Sequence, residues 1–444
     1  MEIQAFLTSY DPSDLPAGSI DPLGFERGYL FLADKILPGL TNVANRPRYF
    51  SMLCAGAYLG GNLFDQSPRK QYRERLERVL RLERFWALAN VLAGLDAGGN
   101  DSELSGLRGV TYARAKAEDL TRRGNKKVNS DFKLLSRQVQ YGAVGMYGAV
   151  ADGMHFVERK TLTLSPDLGE KLAKGFIEET GLPGPVKKAV EDDGSVEVGA
   201  LKDWGARAHM SGESGKVEAN CFYDGLHLNP IRSRMTELLA EYPYLKDEPE
   251  LKRLARIYKT LKGGEENADL REGILTIRRY EAAYQLALLG LERILWLCRQ
   301  DPSGSTSHPA LNADPVMDAV QQKLPKAVSR LVYALESGTT ENFRKHLNRL
   351  DDVKVFLQEA ASACGRGRAL TEKIMQRHSE VQRGKFDRGR RKMPWVEYTS
   401  HGRIALTSTR VGGLSSEATK PSDIRPHFYR LGSADALYDA SRRR

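Results

Sequence analysis

Apolar residues recur at helical spacing along most of this chain, and the strands it predicts are short and few. The clearest helix is QSPRKQYRERLERVLRLERFWALANVLAGL (66–95). Leu76, Val79, Leu80, Leu82, Phe85 and Trp86 form its stripe, and Arg and Glu alternate outside. Residues 25–36 read as a helix stopped by Pro38-Gly39. Asn45-Arg46-Pro47 opens another, with Pro47 in its first turn and Tyr49, Phe50, Leu53, Cys54 and Tyr58 on its apolar face. Helical pieces are expected at 111–122 and 130–140, then a short β-branched segment with a turn, then LTLSPDLGEKLAKGF. Short helices follow at 198–208, 216–226 and 232–241. Residues 249–300 are helical, with Ile277, Tyr280, Tyr284, Ala287, Leu288, Leu291, Ile294 and Leu295 on a broad buried face. DPSGSTSHPALNADP (301–315) reads as a linker or exposed loop, and amphipathic helices are expected at 315–337 and 340–364. Near the end, Tyr398 can pair with 404–409 across His401-Gly402.

This pattern predicts a mainly α, multi-domain protein with a winged-helix (α+β) module and a small C-terminal β hairpin. The expected divisions are an N-terminal helical domain (1–100), the winged-helix domain (101–180), a small helical insert (181–245), a C-terminal helical domain with a basic segment (246–395), and the hairpin with a basic tail (396–444). In the winged-helix reading a wing strand precedes a closing helix. Lys126, Lys127, Lys133 and Arg137 then lie near or on a recognition helix aimed at a DNA major groove. Any small α+β domain fits the same pattern, and winged helices also serve as protein-interaction modules.

Composition adds three constraints. The 444 residues suffice for more than one domain, and 41% hydrophobic with 28% charged residues is an ordinary globular balance. The net charge of +10 favours an anionic partner such as nucleic acid, although solubility alone would also account for it. The four cysteines are far apart in apolar or helical surroundings and read as reduced thiols of a cytoplasmic protein. The first residues carry no basic-then-apolar leader, and no stretch nears the roughly 18 apolar residues of a membrane span, so no membrane partner is expected.

Charge is most concentrated in 366–392, where ten Lys and Arg face Glu372, Glu380 and Asp387. Arg383, Lys385, Arg388, Arg390, Arg391 and Lys392 fall within ten residues and suit phosphate. Just upstream, Arg377, Val381 and Lys385 share one helical face, and His378 and Gln382 the adjacent one. That surface could hold a phosphate or a base edge. Alternatively His378 hydrogen-bonds to the following strand and Trp395 packs on the helix to close the domain. Arg46 and Arg48 are unusual at a helix start, where the dipole disfavours cations. They could meet a partner's carboxylate or phosphate, or form a structural ion pair.

No catalytic signature is present. GxxxxGK[ST], GxGxxG after a strand, GxSxG and HExxH are all missing, and His209 and His227 lack metal-ligand spacing. No cofactor or metal is expected. The nearest approach to a metal-dependent nuclease is Asp152 with the ExK step Glu158-Arg159-Lys160, which is cramped for ligands on separate strands.

Three segments carry a resemblance. DKILPGLTNVANRPRYFS (34–51), YEAAYQLALLGLERILWL (280–297) and RHSEVQRGK with PWVEY (377–398) resemble the N-terminal, central and C-terminal segments of a large bacterial family encoded in gene islands beside restriction and phage-defence genes. Members are similar in length and largely helical. The resemblance implies a setting, antiviral defence, and no reaction. The basic run DRGRRK is extra relative to that family. Together these readings lead us to expect a non-catalytic DNA-binding or DNA-sensing subunit of a defence complex, with other subunits as partners. The alternatives are a nuclease effector using Asp152, Glu158 and Lys160, and an adaptor that binds protein and no nucleic acid.

Overall fold

A computed structural model of the chain describes residues 21–61, 66–96, 104–261, 263–387, 390–407 and 418–442. Among these, nineteen α-helices carry the structure, and the strands form antiparallel sheets of two or three short members. The protein is therefore mainly α with a small C-terminal β element, as the spacing of its apolar positions predicts. The described residues fall into two compact units, 37–241 with 430–442, and 21–36 with 242–429.

The first unit is built on the helix Pro68–Asp96, which carries Val79, Leu82, Phe85 and Trp86 fully buried. Helices Arg48–Tyr58, Val110–Arg123 and Val198–Arg207 pack on it. Tyr49 stacks on Tyr147 at 4.6 Å and meets Trp86 edge-on at 4.9 Å, an arrangement that suits the ring quadrupoles. The Trp86 indole donates to the Ala208 carbonyl at 2.6 Å, so its polar edge is satisfied inside.

Among the buried guanidinium groups of this unit, Arg48 and Arg232 reach far along the chain. Arg48 donates to the Glu218 carboxylate at 2.7 Å and to the Glu213 carbonyl at 2.5 Å. Arg232 reaches main-chain oxygens instead. It donates to the carbonyls of Leu226 at 3.0 Å, Gly225 at 2.6 Å and Pro38 at 3.0 Å, and so ties a helix end to a distant loop.

In the second unit the 36-residue helix Glu265–Gln300 packs against Glu26–Ile36, Pro315–Ser337 and Ala369–Arg383. Its predicted face is buried from Ile277 to Leu295. Phe25 sits 5.6 Å from Tyr280, 5.1 Å from Tyr284 and 6.2 Å from Phe356. Gly28 lies beneath the Tyr280 ring, where any β-carbon would fall 2.2 Å from the phenol oxygen. The buried Glu281 carboxylate accepts from His427 Nδ1 at 2.7 Å and from the Tyr429 hydroxyl at 2.5 Å.

Several elements differ from the pattern. Residues 130–140 form turns, with a helix only at Gln138–Tyr141. Phe132 and Leu134, two apart, both point inward, which is an extended spacing rather than a helical one. The expected single helix at 340–364 is broken into Glu341–Arg344, the 3-10 turn Leu347–Leu350 and Asp351–Ala363. The ammonium of buried Lys35 takes the carbonyls of Asn342 and Lys345, which are then lost to a continuous helix. The stretch 301–315, expected to be a linker or exposed loop, carries buried positions. Ser305–Thr306 is a buried strand beside Ile404–Leu406, which pairs in turn with Val396–Tyr398. Asp314 caps the next helix and pairs with buried Arg293. The helix Gly184–Asp192 was hidden by the Gly and Pro that open it, since Pro at a first turn starts a helix as readily as it ends one.

Arg48→Met should destabilise the first unit by about 3–5 kcal/mol, because Glu218 is left as an uncompensated buried charge. The double variant Arg48→Met, Glu218→Met should recover most of that loss in urea unfolding.

Candidate nucleic-acid interface

Positions 69, 72, 73, 76, 80 and 84 lie on one face of the Pro68–Asp96 helix. They line a groove of about 1940 Å³ in the first unit, completed by 131–140, Val144, Gly145 and 158–161. Seven of its described lining residues are cationic (Arg69, Arg73, Arg84, Lys133, Arg137, Arg159 and Lys160), and two are carboxylates (Asp131 and Glu158). Arg69, Arg73, Lys133, Arg137 and Lys160 are exposed. Leu76, Leu80 and Val144 supply apolar lining, and Tyr72 is half-buried among the cations.

The loop that lines this groove is fixed from beneath. The Gln138 amide donates to the Leu80 carbonyl at 3.0 Å and to Glu83 at 2.8 Å, and accepts from Arg84 Nε at 2.9 Å. Arg84 also holds the Ser130 carbonyl at 3.0 Å. Glu83 accepts the Ala143 amide at 2.7 Å, and burial pushes its carboxyl up to about 7. Lys133, expected on a recognition helix, therefore sits on a turn, with its ammonium 5.0 Å from the Tyr112 ring centre. Lys126 is exposed beside the strand Lys127–Asn129, and Lys127 pairs with Glu197 across that two-stranded sheet at 3.4 Å.

In the second unit the basic segment forms a hairpin, Phe386–Asp387 with Arg390–Arg391. Arg391 and Phe386 are exposed, with the guanidinium 5.9 Å over the ring, and exposed Met393 follows the half-buried Lys392. Arg383 is exposed and pairs with Glu397 at 2.8 Å. Arg390 belongs to the second strand, and Arg388 lies outside the described residues.

Arg377 and His378 do not share that exposure. Arg377 is buried, donating to the Leu23 carbonyl at 2.9 Å and to Asp352 at 2.9 Å. His378 is fully buried between the Pro22 carbonyl, 3.0 Å from Nδ1, and the Trp395 amide, which donates to Nε2 at 2.9 Å. This fixes a neutral ring with its proton on Nδ1. Lys385 donates to the Asp21 carbonyl. Gly24, at φ +77°, faces Arg377, whose Nη2 would lie 2.8 Å from any added β-carbon. The three residues clasp 21–24 and the start of the C-terminal sheet. Arg377 and His378 thus face the interior and do not present the exposed surface expected of them.

The remaining candidates separate. Glu158 and Lys160 line the groove, but Glu158 accepts the Thr161 hydroxyl at 2.6 Å, and exposed Asp152 is outside the lining and accepts the Arg159 amide at 3.2 Å. Among the described residues no group of three or more His, Cys, Asp or Glu is placed to hold a metal ion. Arg48 is a buried structural ion pair, and Arg46 donates to the Ser105 carbonyl at 2.7 Å. Sequence reasoning missed Arg69, Arg73, Arg84 and Arg159, because charges outside an apolar stripe read as a solvated face. The available signal was Arg69, Tyr72, Arg73 and Leu76 falling together at i, i+3, i+4 and i+7.

Burial lowers His378 to about 4, so the folded protein binds this proton less readily than the unfolded chain. Stability should be fully present above an unfolded pKa of roughly 6.5 and fall as pH drops toward the folded value. An NMR titration of the imidazole should show His378 neutral at pH 5. Glu83 works with the opposite slope, its contribution full below roughly 4.5 and lost as pH rises through the folded value. Glu83→Gln should flatten that dependence in thermal unfolding between pH 5 and pH 8. No family model, curated protein or solved structure matches this chain.

Proposed function

We propose that this protein is a DNA-binding or DNA-sensing, non-catalytic subunit of a bacterial anti-phage defence complex. The observation that carries the binding part is the groove of the first unit, where seven cations meet two carboxylates. Among the described residues, Arg69, Arg73, Arg137 and Lys160 have no ion-pair partner, so their charge is available to phosphate. The exposed Arg391 and Phe386 of the hairpin offer a second contact of cation beside ring. The defence setting and the partner subunits rest on the three family-like segments.

In this reading the winged-helix character of 101–180 is limited to its hairpin, Val157–Glu158 with Thr163–Leu164, and the following helix Gly169–Glu179. The turn of that hairpin lines the groove and would act as the wing. Phosphate contact would come from the loop at 131–140 instead of a recognition helix. Motor or nuclease chemistry would reside in partner proteins.

The test is binding of purified protein to a fluorescent DNA duplex and a single strand, at low and physiological salt, with and without Mg²⁺. Salt-sensitive binding without cleavage is expected. Arg391→Ser with Lys392→Ser should lower the slope of log affinity against log salt by about 0.9 for each duplex phosphate that is no longer neutralised. Divalent-dependent cleavage abolished by Glu158→Ala would instead establish the nuclease. No binding at low salt would remove the proposal and leave the adaptor reading, to be tested by pull-down with neighbouring gene products.

A further inference from the structure

We infer that the groove of the first unit receives an unpaired nucleic-acid strand, its phosphates against Arg73 and Arg137 and a base against Tyr72. This rests on the nucleic-acid-binding reading above and specifies the strand state of the ligand.

Three observations point the same way. The first is size. At about 1940 Å³ the groove exceeds the roughly 300–1,000 Å³ of pockets that bury one small molecule, so it has room for an extended chain. The second is the mixture of surfaces. A duplex presents phosphates outward and keeps its base faces stacked inside, so it makes no use of an apolar floor. Here Leu76, Leu80 and Val144 lie in the same groove as the cations. A single strand exposes both a charged backbone and bare base faces, which need cations and apolar or aromatic platforms side by side.

The third observation is the place of Tyr72. It is half-buried, one helical turn from Leu76 and between Arg69 and Arg73 on the same helix face. Burial raises its phenol, and the charge of Arg159, from the 158–161 turn, works against that rise. The ring thus sits where cations from the helix and from the turn converge, the environment in which a stacked base is flanked by phosphate-binding groups. Lys133 and Arg137 bring charge from the loop that Glu83, Arg84 and Gln138 hold rigid, so this lining is in place before a ligand arrives.

The experiment is fluorescence anisotropy of the full chain with a labelled single strand of about 12 nucleotides, the same sequence as a duplex, and its RNA counterpart. The wild type should bind the DNA strand at least about tenfold more tightly than the duplex. Arg73→Ser with Arg137→Ser should weaken strand binding about tenfold near physiological salt and lower the salt slope by about 1.4, from two single-strand phosphates at about 0.7 each. Tyr72→Ala should weaken it about tenfold while Tyr72→Phe keeps it, a distinction that loss of charge alone does not produce. Unchanged thermal unfolding of each variant shows that it folds. A tighter RNA strand would keep the inference and change the sugar. Equal or tighter duplex binding, or strand binding indifferent to the groove variants, would overturn the inference and leave DNA binding standing. No binding of any form would remove both.

Discussion

A cation taken out of water needs acceptors inside, and buried cations in both units of this protein find them. Arg48 meets it with a carboxylate and a carbonyl, and Arg232 with main-chain carbonyls from separate parts of the chain. In the second unit Lys35, Arg293 and Arg377 reach carbonyls or carboxylates across long sequence separations. Each such group joins segments that apolar packing alone would leave in several arrangements. A guanidinium accepts few substitutes, because its fork must find acceptors in fixed directions. These interactions therefore select one path for the loops they bind.

The same requirement divides the positive charge into two populations. Buried cations are committed to the chain itself and add little field outside it. Exposed ones, Arg69, Arg73, Lys133 and Arg137 in the groove and Arg391 on the hairpin, keep their charge in water. In the groove a part-buried cation supports the exposed ones. Arg84 commits its donors to Gln138 and Ser130, so the loop carrying Lys133 and Arg137 is fixed by a neighbour of the same sign. Burial raises the carboxyl of Glu83 beneath it, which favours the neutral form of an acid packed under that loop's anchor.

The helical architecture was legible because helix formation is local and periodic. The stripe at 66–95 became Pro68–Asp96, and the predicted 315–337 helix is Pro315–Ser337. Errors fell where a distant side chain overrode a local pattern. Lys35 removed carbonyls from the expected 340–364 helix, and Asp314 with Ser305 and Thr306 turned a Ser- and Pro-rich stretch into buried structure. The candidate site was less legible than the fold. Lys133, Glu158 and Lys160 were named for separate reasons, and no spacing showed that they share a groove with Arg69 and Arg73. The exposure of a charge depends on tertiary packing, which a one-dimensional count does not contain.

The segment 366–392 makes that limit concrete. In sequence its ten basic residues form a single electrostatic run. In the fold the run divides into inward and outward side chains, with Arg366, Arg368, Arg383 and Arg391 exposed. Arg377 is inward, paired with Asp352 and the Leu23 carbonyl, and Lys385 reaches the Asp21 carbonyl. His378 bridges Pro22 to Trp395 as a neutral ring, a choice the surroundings enforce, since a second proton would place it against the Trp395 amide. The clasp fixes both ends of the excursion that carries the hairpin, at Lys385 and at Trp395. Arg391 and Phe386 are thereby held at the surface on a short, anchored loop, and their orientation is set by residues that face the interior. The inward cations thus anchor the loop on which the outward ones stand, which is why a charge count over the run does not predict which of its side chains face solvent.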